Sequence, residues 1–64
     1  MQNRILRRHD VERQIGLSRS SIYKMMSDGS FPLPIRLGKR AVGWAEADID
    51  EWLNNRQRVK HDHG

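Results

Sequence analysis

The chain has 64 residues and no cysteine, so it has room for one small domain with a thin core, and a disulfide-stapled secreted scaffold is excluded. It contains neither an apolar signal-peptide segment nor an apolar run of about 18 residues that could span a membrane, so we expect a soluble cytoplasmic protein. The net charge of +4 is divided as +6 over residues 1–40 and −2 over residues 41–64, which is typical of a face that attracts nucleic acid but also of an ordinary solvated surface.

The first predicted elements are two helices joined by a three-residue turn. The apolar pair Ile5-Leu6 precedes them and indicates a brief strand or an anchoring segment. The first helix runs from about Arg8 to Ile15, and Gly16 can end it in the left-handed conformation. Its charged side chains, among them Arg8 and Glu12, are expected to be largely solvated. Ser18 is a good N-cap for the second helix, which runs from about Arg19 to Asp28. This arrangement is a helix-turn-helix.

The second predicted helix separates into two surfaces when it is read at about 100° per residue. Its core-facing surface consists of Ser21, Ile22, Met25 and Met26. Its opposite surface, which we call the outer arc, consists of Arg19, Ser20, Tyr23, Lys24 and Ser27. Cationic and hydroxyl side chains on one helix face suit a DNA-reading helix, although they also occur on an ordinary solvated face. The turn before this helix favours DNA reading.

The segment after the second helix is predicted to turn back on itself as a β-hairpin. The two prolines of the run Phe31–Pro34 exclude a helix there. The runs Ile35–Leu37 and Ala41–Trp44 then flank a glycine-containing tip that carries Lys39 and Arg40. Such a protruding, positively charged hairpin is predicted to be a wing.

The last predicted element is a helix from about Glu46 to Arg58, with acidic residues in its first turns, as the helix dipole favours. One apolar stripe should close the core over the helix-turn-helix. It consists of Ala45, Ile49, Trp52 and Leu53. Trp44, at the end of the hairpin, is also assigned to the core. We therefore expect residues 1–60 to form one domain and residues 61–64, which include no apolar side chain, to form a disordered tail.

The outer arc and the wing supply the candidate DNA contacts. The major groove of B-DNA is about 12 Å wide and admits one helix, where Arg19 can pair with guanine while the lysine and hydroxyl side chains of the arc position the helix on phosphates. Lys39 and Arg40 can reach the minor groove or the phosphate backbone, or lie in a solvated turn. Arg7 and Arg8, at the start of the first helix, are equally consistent with backbone contact and with solvation.

The sequence offers little for catalysis or metal binding. His9 stands alone, and the terminal pair His61 and His63 has no cysteine and no second ligand cluster beside it, so no zinc site is expected. Asp48 and Glu51 lie near a helix start, where the helix dipole explains them, and no nucleophile triad or glycine-rich phosphate motif accompanies them. We therefore expect a protein that is not an enzyme and holds no cofactor.

Two stretches of the chain carry a family resemblance, namely Gly16–Tyr23 (GLSRSSIY) and Gly29–Trp44 (GSFPLPIRLGKRAVGW). With the helix that contains Ile49 and Trp52, they resemble the AlpA family of short prophage-encoded transcriptional regulators, which is related to phage excisionases and MerR-like winged helix-turn-helix domains. The resemblance covers residues 4 to 55. A departure is Ala47, where similar sequences often carry a serine that caps the last helix. The resemblance implies that the major groove is contacted by Arg19, Ser20, Tyr23 and Lys24. It also implies that the wing contacts DNA through Lys39 and Arg40.

These observations predict a mainly α-helical fold with a small β-hairpin wing, a winged helix-turn-helix of the MerR and excisionase type. The predicted function is that of a sequence-specific, double-stranded DNA-binding transcriptional regulator of a prophage or integrated element. An excisionase that acts with an integrase needs the same surface and stays an alternative. An adaptor whose basic arc meets an acidic protein is an alternative of another class. Besides DNA, the partners considered are a second copy on repeated sites, an integrase and RNA polymerase, with no membrane.

Overall fold

The computed structural model describes residues 4–56 and residue 59. Its elements in chain order are β1 (Ile5–Leu6), α1 (Arg8–Ile15), α2 (Arg19–Asp28), β2 (Ile35–Arg36), β3 (Val42–Ala45) and α3 (Glu46–Asn54). The predicted mainly α-helical fold with a small hairpin wing is confirmed. The tail expected at residues 61–64 and the domain end expected at residue 60 lie outside the described residues. None of the helices in the described ranges is long and apolar enough to cross a membrane.

The helices α1 and α2 form the helix-turn-helix at the predicted bounds. Gly16 and Gly29 follow the two helices with φ angles of 71° and 79°, a left-handed conformation that glycine adopts without a Cβ clash. The Gly16 N–H donates to the Glu12 carbonyl at 2.8 Å. At the start of α2, the Ser18 hydroxyl accepts from the Ser21 N–H at 3.2 Å. The predicted N-cap is therefore confirmed.

The three strands form an antiparallel sheet in the order β1-β3-β2, with β3 in the centre. β1 places Leu6 opposite Trp44, and β2 places Ile35 opposite Gly43. Leu6 and Trp44 are both buried, so this face of the sheet covers the core. The brief strand predicted at Ile5-Leu6 is confirmed, and its pairing ties the start of the described chain to the wing.

The hairpin differs from its prediction in its bounds. The expected strands were Ile35–Leu37 and Ala41–Trp44, whereas the observed strands end at residue 36 and begin again at residue 42. The reason is that the Ala41 carbonyl accepts from the N–H groups of residues 37 and 38, at 2.8 and 3.2 Å, which closes the loop earlier. At its other end β3 continues to Ala45 because β1 pairs there.

The helix α3 is shorter than predicted. It ends at Asn54, and residues 55 and 56 are a turn and a bend, so the extension toward Arg58 is wrong over these two residues. Asparagine has a lower helix propensity than the residues before it. The N–H of Asn55 closes the last turn by donating to the Glu51 carbonyl at 3.0 Å. Residue 58 itself lies outside the described part of the chain.

The start of α3 is held by the main chain rather than by a side-chain cap. Its N-cap is Ala45, which offers no side-chain hydrogen bond. The Glu46 N–H instead donates to the Arg4 carbonyl at 2.8 Å. The absence of a serine at Ala47 is therefore compensated, because β1 brings a carbonyl to the first turn of the helix.

One apolar cluster lies between the helices and the sheet. It consists of Leu6, Val11, Ile22, Phe31, Trp44 and Ile49. The sequence also predicts Leu53 in the core, but Leu53 is 38% exposed, so this prediction is wrong. The segment between α2 and β2 covers the side of α3 that carries Trp52, where the ring centroids of Trp52 and Phe31 are 4.8 Å apart. The side of α3 that carries Leu53 is left open to solvent.

Aromatic side chains fasten the segment between α2 and β2 to the core. The Trp44 Nε1–H donates to the Pro32 carbonyl at 2.9 Å, and the Trp52 Nε1–H donates to the Ser30 carbonyl at 2.7 Å. Phe31 lies edge-on to both indoles. Trp44 is buried and Trp52 packs half-buried against the cluster, as the sequence predicts. These contacts fix the end of α2 relative to the first strand of the wing.

Candidate nucleic-acid interface

The two surfaces of α2 are separated as the sequence predicts. Ile22 is fully buried, and Met25 and Met26 are half-buried against the core. All five side chains of the outer arc are exposed, including Tyr23, the largest of them, at 40%. The orientation of α2 is therefore confirmed, whereas the DNA contacts assigned to the outer arc remain a prediction.

Arg19 and Tyr23 interact one helical turn apart on the outer arc. The guanidinium carbon Cζ of Arg19 lies 5.5 Å from the centroid of the Tyr23 ring, within the range of a cation–π contact. A guanidinium has five N–H donors, so a contact with one ring leaves donors free for other hydrogen bonds. The Tyr23 ring therefore restrains the Arg19 side chain and leaves it able to donate.

The first turn of α2 is electropositive. The N–H groups at a helix start carry the positive end of the helix dipole, and α2 has no acidic residue in its first turn to offset it. Ser18 occupies only part of this end by capping the Ser21 N–H. Arg19 and Ser20 stand exposed beside it. A phosphate or a base acceptor that approaches this end meets a favourable potential.

Arg7 connects the start of α1 to the wing. Its Nε donates to the Val42 carbonyl at 3.1 Å, and its main-chain N–H donates to Asp10 Oδ2 at 3.2 Å. This main-chain bond, together with the guanidinium of Arg13, holds the pKa of Asp10 below its usual value. The Arg7 side chain remains exposed, so it braces β3 and still faces solvent.

Arg8 differs from the other candidate cations because it is already paired. Its Nη1 lies 2.7 Å from Glu12 Oε2, and the two side chains are only 29% and 25% exposed. The expectation that both are largely solvated is therefore wrong, since their spacing of one turn lets the ion pair form along α1. The pair neutralises Arg8 and makes it the weakest candidate for a phosphate contact.

A cleft joins the start of α1, the outer arc and the wing. It is lined by Arg7, Arg8, His9, Tyr23, Arg40 and Val42. Four of the predicted site residues thus meet, although they are distant in the chain. His9 and Val42 were not predicted at the site. The sequence could have indicated His9, because it directly follows two arginines that were candidate contacts. Nothing in the sequence distinguishes Val42 from an ordinary strand residue.

The tip of the wing presents Lys39 and Arg40 to solvent. The loop is braced by Arg36, whose Nη1 donates to the Lys39 carbonyl at 3.4 Å. No acidic residue occurs between residues 29 and 45, so the charge of the wing is not offset locally. The structure therefore places both predicted wing cations at the end of a braced hairpin.

The helix α3 carries the opposite charge. Its acidic side chains are Glu46, Asp48, Asp50 and Glu51. Two of them contact residues of the N-terminal part, since Asp50 accepts from Gln14 Nε2 at 3.4 Å and Glu46 lies 3.9 Å from Arg4. An acidic helix repels phosphates. The side of the molecule that suits a polyanion is therefore the one formed by α2 and the wing.

Comparisons of the sequence with known proteins find one matching family and two similar proteins. The family model described as "Prophage CP4-57 regulatory protein (AlpA)" matches residues 4–57. The chain is 42% identical to "DNA-binding transcriptional activator AlpA" of Escherichia coli (strain K12) over 62 aligned positions, which cover 88% of this chain and 89% of that protein. It is 38% identical to "Uncharacterized protein ORF88" of Enterobacteria phage P4 over 55 positions, which cover 86% of this chain and 62% of the phage protein. No solved structure matches the chain.

Proposed function

Because this chain belongs to the AlpA family of prophage regulatory proteins, we propose that it binds double-stranded DNA in a sequence-specific manner and regulates transcription. The observation that carries the proposal is the outer arc, whose five side chains are all exposed on a helix that follows a tight turn. The relatives support a regulator rather than an enzyme. We infer that the regulated promoters belong to a prophage or integrated element.

In the proposed complex α2 lies in the major groove with the outer arc toward the bases. Arg19, restrained by Tyr23, pairs with a guanine through two N–H donors, the commonest base-specific contact of arginine. Lys24 and the hydroxyl groups of Ser20 and Ser27 contact phosphates and fix the register of the helix. Base preference therefore depends chiefly on Arg19, and general affinity on the rest of the arc.

The wing and the start of α1 extend the proposed contact beyond the major groove. Lys39 and Arg40 reach the adjacent phosphate backbone or minor groove. Arg7 and Arg40 line the same cleft beside Tyr23, so a phosphate between the two grooves meets cations from α1 and from the wing. Arg8 contributes less, because Glu12 already neutralises it.

Selection of bound duplexes from a random pool tests the proposal. We expect one enriched motif, which the full chain binds about 10³-fold or more tightly than a scrambled duplex at physiological salt. Affinity for both duplexes should fall steeply as salt rises, because phosphate contacts release counterions. Enrichment of no motif, with equal affinity for every duplex, would favour an adaptor for acidic proteins. An excisionase role uses the same surface, and an excision assay with an integrase separates it from promoter regulation.

A further inference from the structure

The cleft between the start of α1, the outer arc and the wing contains a histidine, His9, whose side chain is exposed. The residues that share the cleft with it come from three parts of the fold. They are Arg7 and Arg8 at the start of α1, Tyr23 on α2, and Arg40 and Val42 on the wing. The cleft has a volume of about 400 Å³, whereas a water molecule takes up about 30 Å³ in the liquid. A phosphate group of a DNA strand therefore has room to enter.

The carboxylates of α1 that lie near His9 already have partners. Glu12 lines a second hollow together with His9, and its Oε2 lies 2.7 Å from Arg8 Nη1. Asp10 follows His9 in the chain, and its Oδ1 lies 3.2 Å from Arg13 Nη2. Each carboxylate is thus paired with an arginine of the same helix. Within α1, a positive charge on His9 is therefore not offset by an unpaired carboxylate.

The charges that remain along the cleft are positive. Arg7 is exposed and donates from its Nε to β3, which leaves its other N–H donors available. Arg40 is also exposed and forms no ion pair in the part of the chain that the structure describes. The Tyr23 phenol, the contribution of α2, carries no charge at neutral pH. A protonated His9 is therefore repelled in the free chain, and a phosphate in the cleft reverses this repulsion.

We propose that His9 binds a phosphate of the DNA backbone in this cleft through its protonated imidazole, so that DNA binding takes up a proton from solvent. The proposal rests on the DNA-binding function inferred above and adds a residue to its phosphate contacts. Histidine changes charge between about pH 5 and 8, and its charged ring donates from both nitrogens, whereas the neutral ring donates from one. Arg7 and Arg40 contact the phosphate at every pH, and His9 strengthens the contact only when it is charged. Affinity for DNA should therefore rise as pH falls.

The test measures the affinity of the full chain for its selected duplex at about pH 6 and about pH 8, at one salt concentration. We expect the unmodified chain to bind about 10-fold more tightly at the lower pH, the gain from one charge-assisted hydrogen bond. His9→Gln, which is neutral throughout, should show the weaker affinity at both pH values. His9→Lys, which is charged throughout, should show the tighter affinity at both. Glutamine and lysine favour helices at least as well as histidine, so both variants should fold.

A matched control removes the other histidines of the chain. His61→Gln/His63→Gln changes both of them and should keep the full pH dependence. The salt dependence supplies a second measurement, because each added phosphate contact releases counterions. The slope of log affinity against log salt should be steeper by about 1 at the lower pH for the unmodified chain. For His9→Gln the slope should be the same at both pH values.

Duplexes in which single phosphates are replaced by uncharged methylphosphonates locate the contact. One such replacement should remove the pH dependence of the unmodified chain. The proposal would be overturned by equal pH dependence of the unmodified chain and His9→Gln, by a His9→Lys variant no tighter than His9→Gln at the higher pH, or by pH dependence that survives every replacement. Sequence-specific binding at the higher pH would in each case leave the DNA-binding function intact. Failure of the unmodified chain to prefer any duplex at either pH would contradict both.

Discussion

The helices α2 and α3 pack against the same core but present opposite surfaces to solvent. Each buries one isoleucine completely, Ile22 in α2 and Ile49 in α3. Outside the core, α2 shows hydroxyl groups and cations, whereas α3 shows carboxylates along its first two turns. The buried sides of the two helices are thus chemically similar. Only the exposed sides distinguish the proposed DNA-reading helix α2 from α3, which supports the core.

The largest expected effect is a loss of stability when a residue of the core shared by the two helices is removed. Trp44→Ala should lower the free energy of unfolding by about 3–5 kcal/mol, because Trp44 is only 1% exposed and contacts both the core and the segment that follows α2. A domain of this size has little stability to lose. Thermal unfolding followed by circular dichroism measures the change. A loss below about 1 kcal/mol would mean that neither helix depends on this core residue.

The next effect separates α2 from α3 by function. Arg19→Ala should weaken binding to the selected site by about 1–3 kcal/mol and relax the preference at one base pair, if Arg19 reads guanine. Folding should be unaffected, because the side chain is exposed. Titration against the selected site and its single-base variants measures both quantities. An equal loss on every duplex would assign Arg19 to phosphate contact instead.

A smaller effect concerns how the start of α2 is held. Ser18→Ala removes the hydroxyl that accepts from the Ser21 N–H and should cost about 1 kcal/mol of stability. The start of α3 serves as the comparison, because its N-cap residue Ala45 makes no side-chain hydrogen bond. Ala45→Gly therefore removes no capping bond, and its effect on the stability of the helix start should be much smaller. Denaturant unfolding of both variants checks this. Equal stability of Ser18→Ala and the unmodified chain would show that the cap is dispensable.

Charge neutralisation on α3 should have almost no effect on specificity. Asp48 and Glu51 are exposed on α3, so Asp48→Asn/Glu51→Gln removes repulsion of phosphates only at long range. We expect slightly tighter binding at low salt and no change at about 0.15 M, where the Debye length is about 8 Å. A loss of affinity, or a new base preference, would place α3 in the interface.

The smallest effect is on the pH dependence of stability. The pKa of Asp10 is lowered from 3.8, chiefly by the Arg7 main-chain N–H and then by Arg13. A carboxyl whose folded-state pKa is depressed stabilises the protein above its unfolded pKa, and this contribution is lost as pH falls through the lowered value. The stabilities of the unmodified chain and of Asp10→Asn, measured by thermal unfolding, should therefore converge only as pH falls below 3.8 and through the lowered pKa. A difference that stays constant from neutral to acidic pH would argue against the assignment.

The parts of the fold that depend on local chemistry could be predicted from the sequence. The bounds of α1 and α2 follow from Gly16, Gly29 and the Ser18 cap, which act on their own neighbours. The split of α2 into two surfaces follows from helical periodicity alone. The Arg8–Glu12 ion pair also had a local signal in its one-turn spacing, which the prediction of solvated side chains overlooked.

The parts that depend on distant contacts could not be predicted. No local pattern indicates that Ile5 pairs with Ala45, or that the Arg7 side chain reaches the carbonyl of Val42. The exposure of Leu53 depends on which side of α3 is covered by a loop about 20 residues earlier in the chain. The cleft between α1, α2 and the wing has the same origin, because it exists only once the sheet has assembled.

The most direct test of the central claim is a map of backbone amide shifts by nuclear magnetic resonance as the selected duplex is added to the full chain. We expect the largest shifts in the first two turns of α2 and at Lys39 and Arg40, with smaller shifts at the start of α1. The exposed side of α3 should stay unchanged. Shifts concentrated on α3, with α2 unaffected, would contradict the assignment of α2 as the DNA-reading helix.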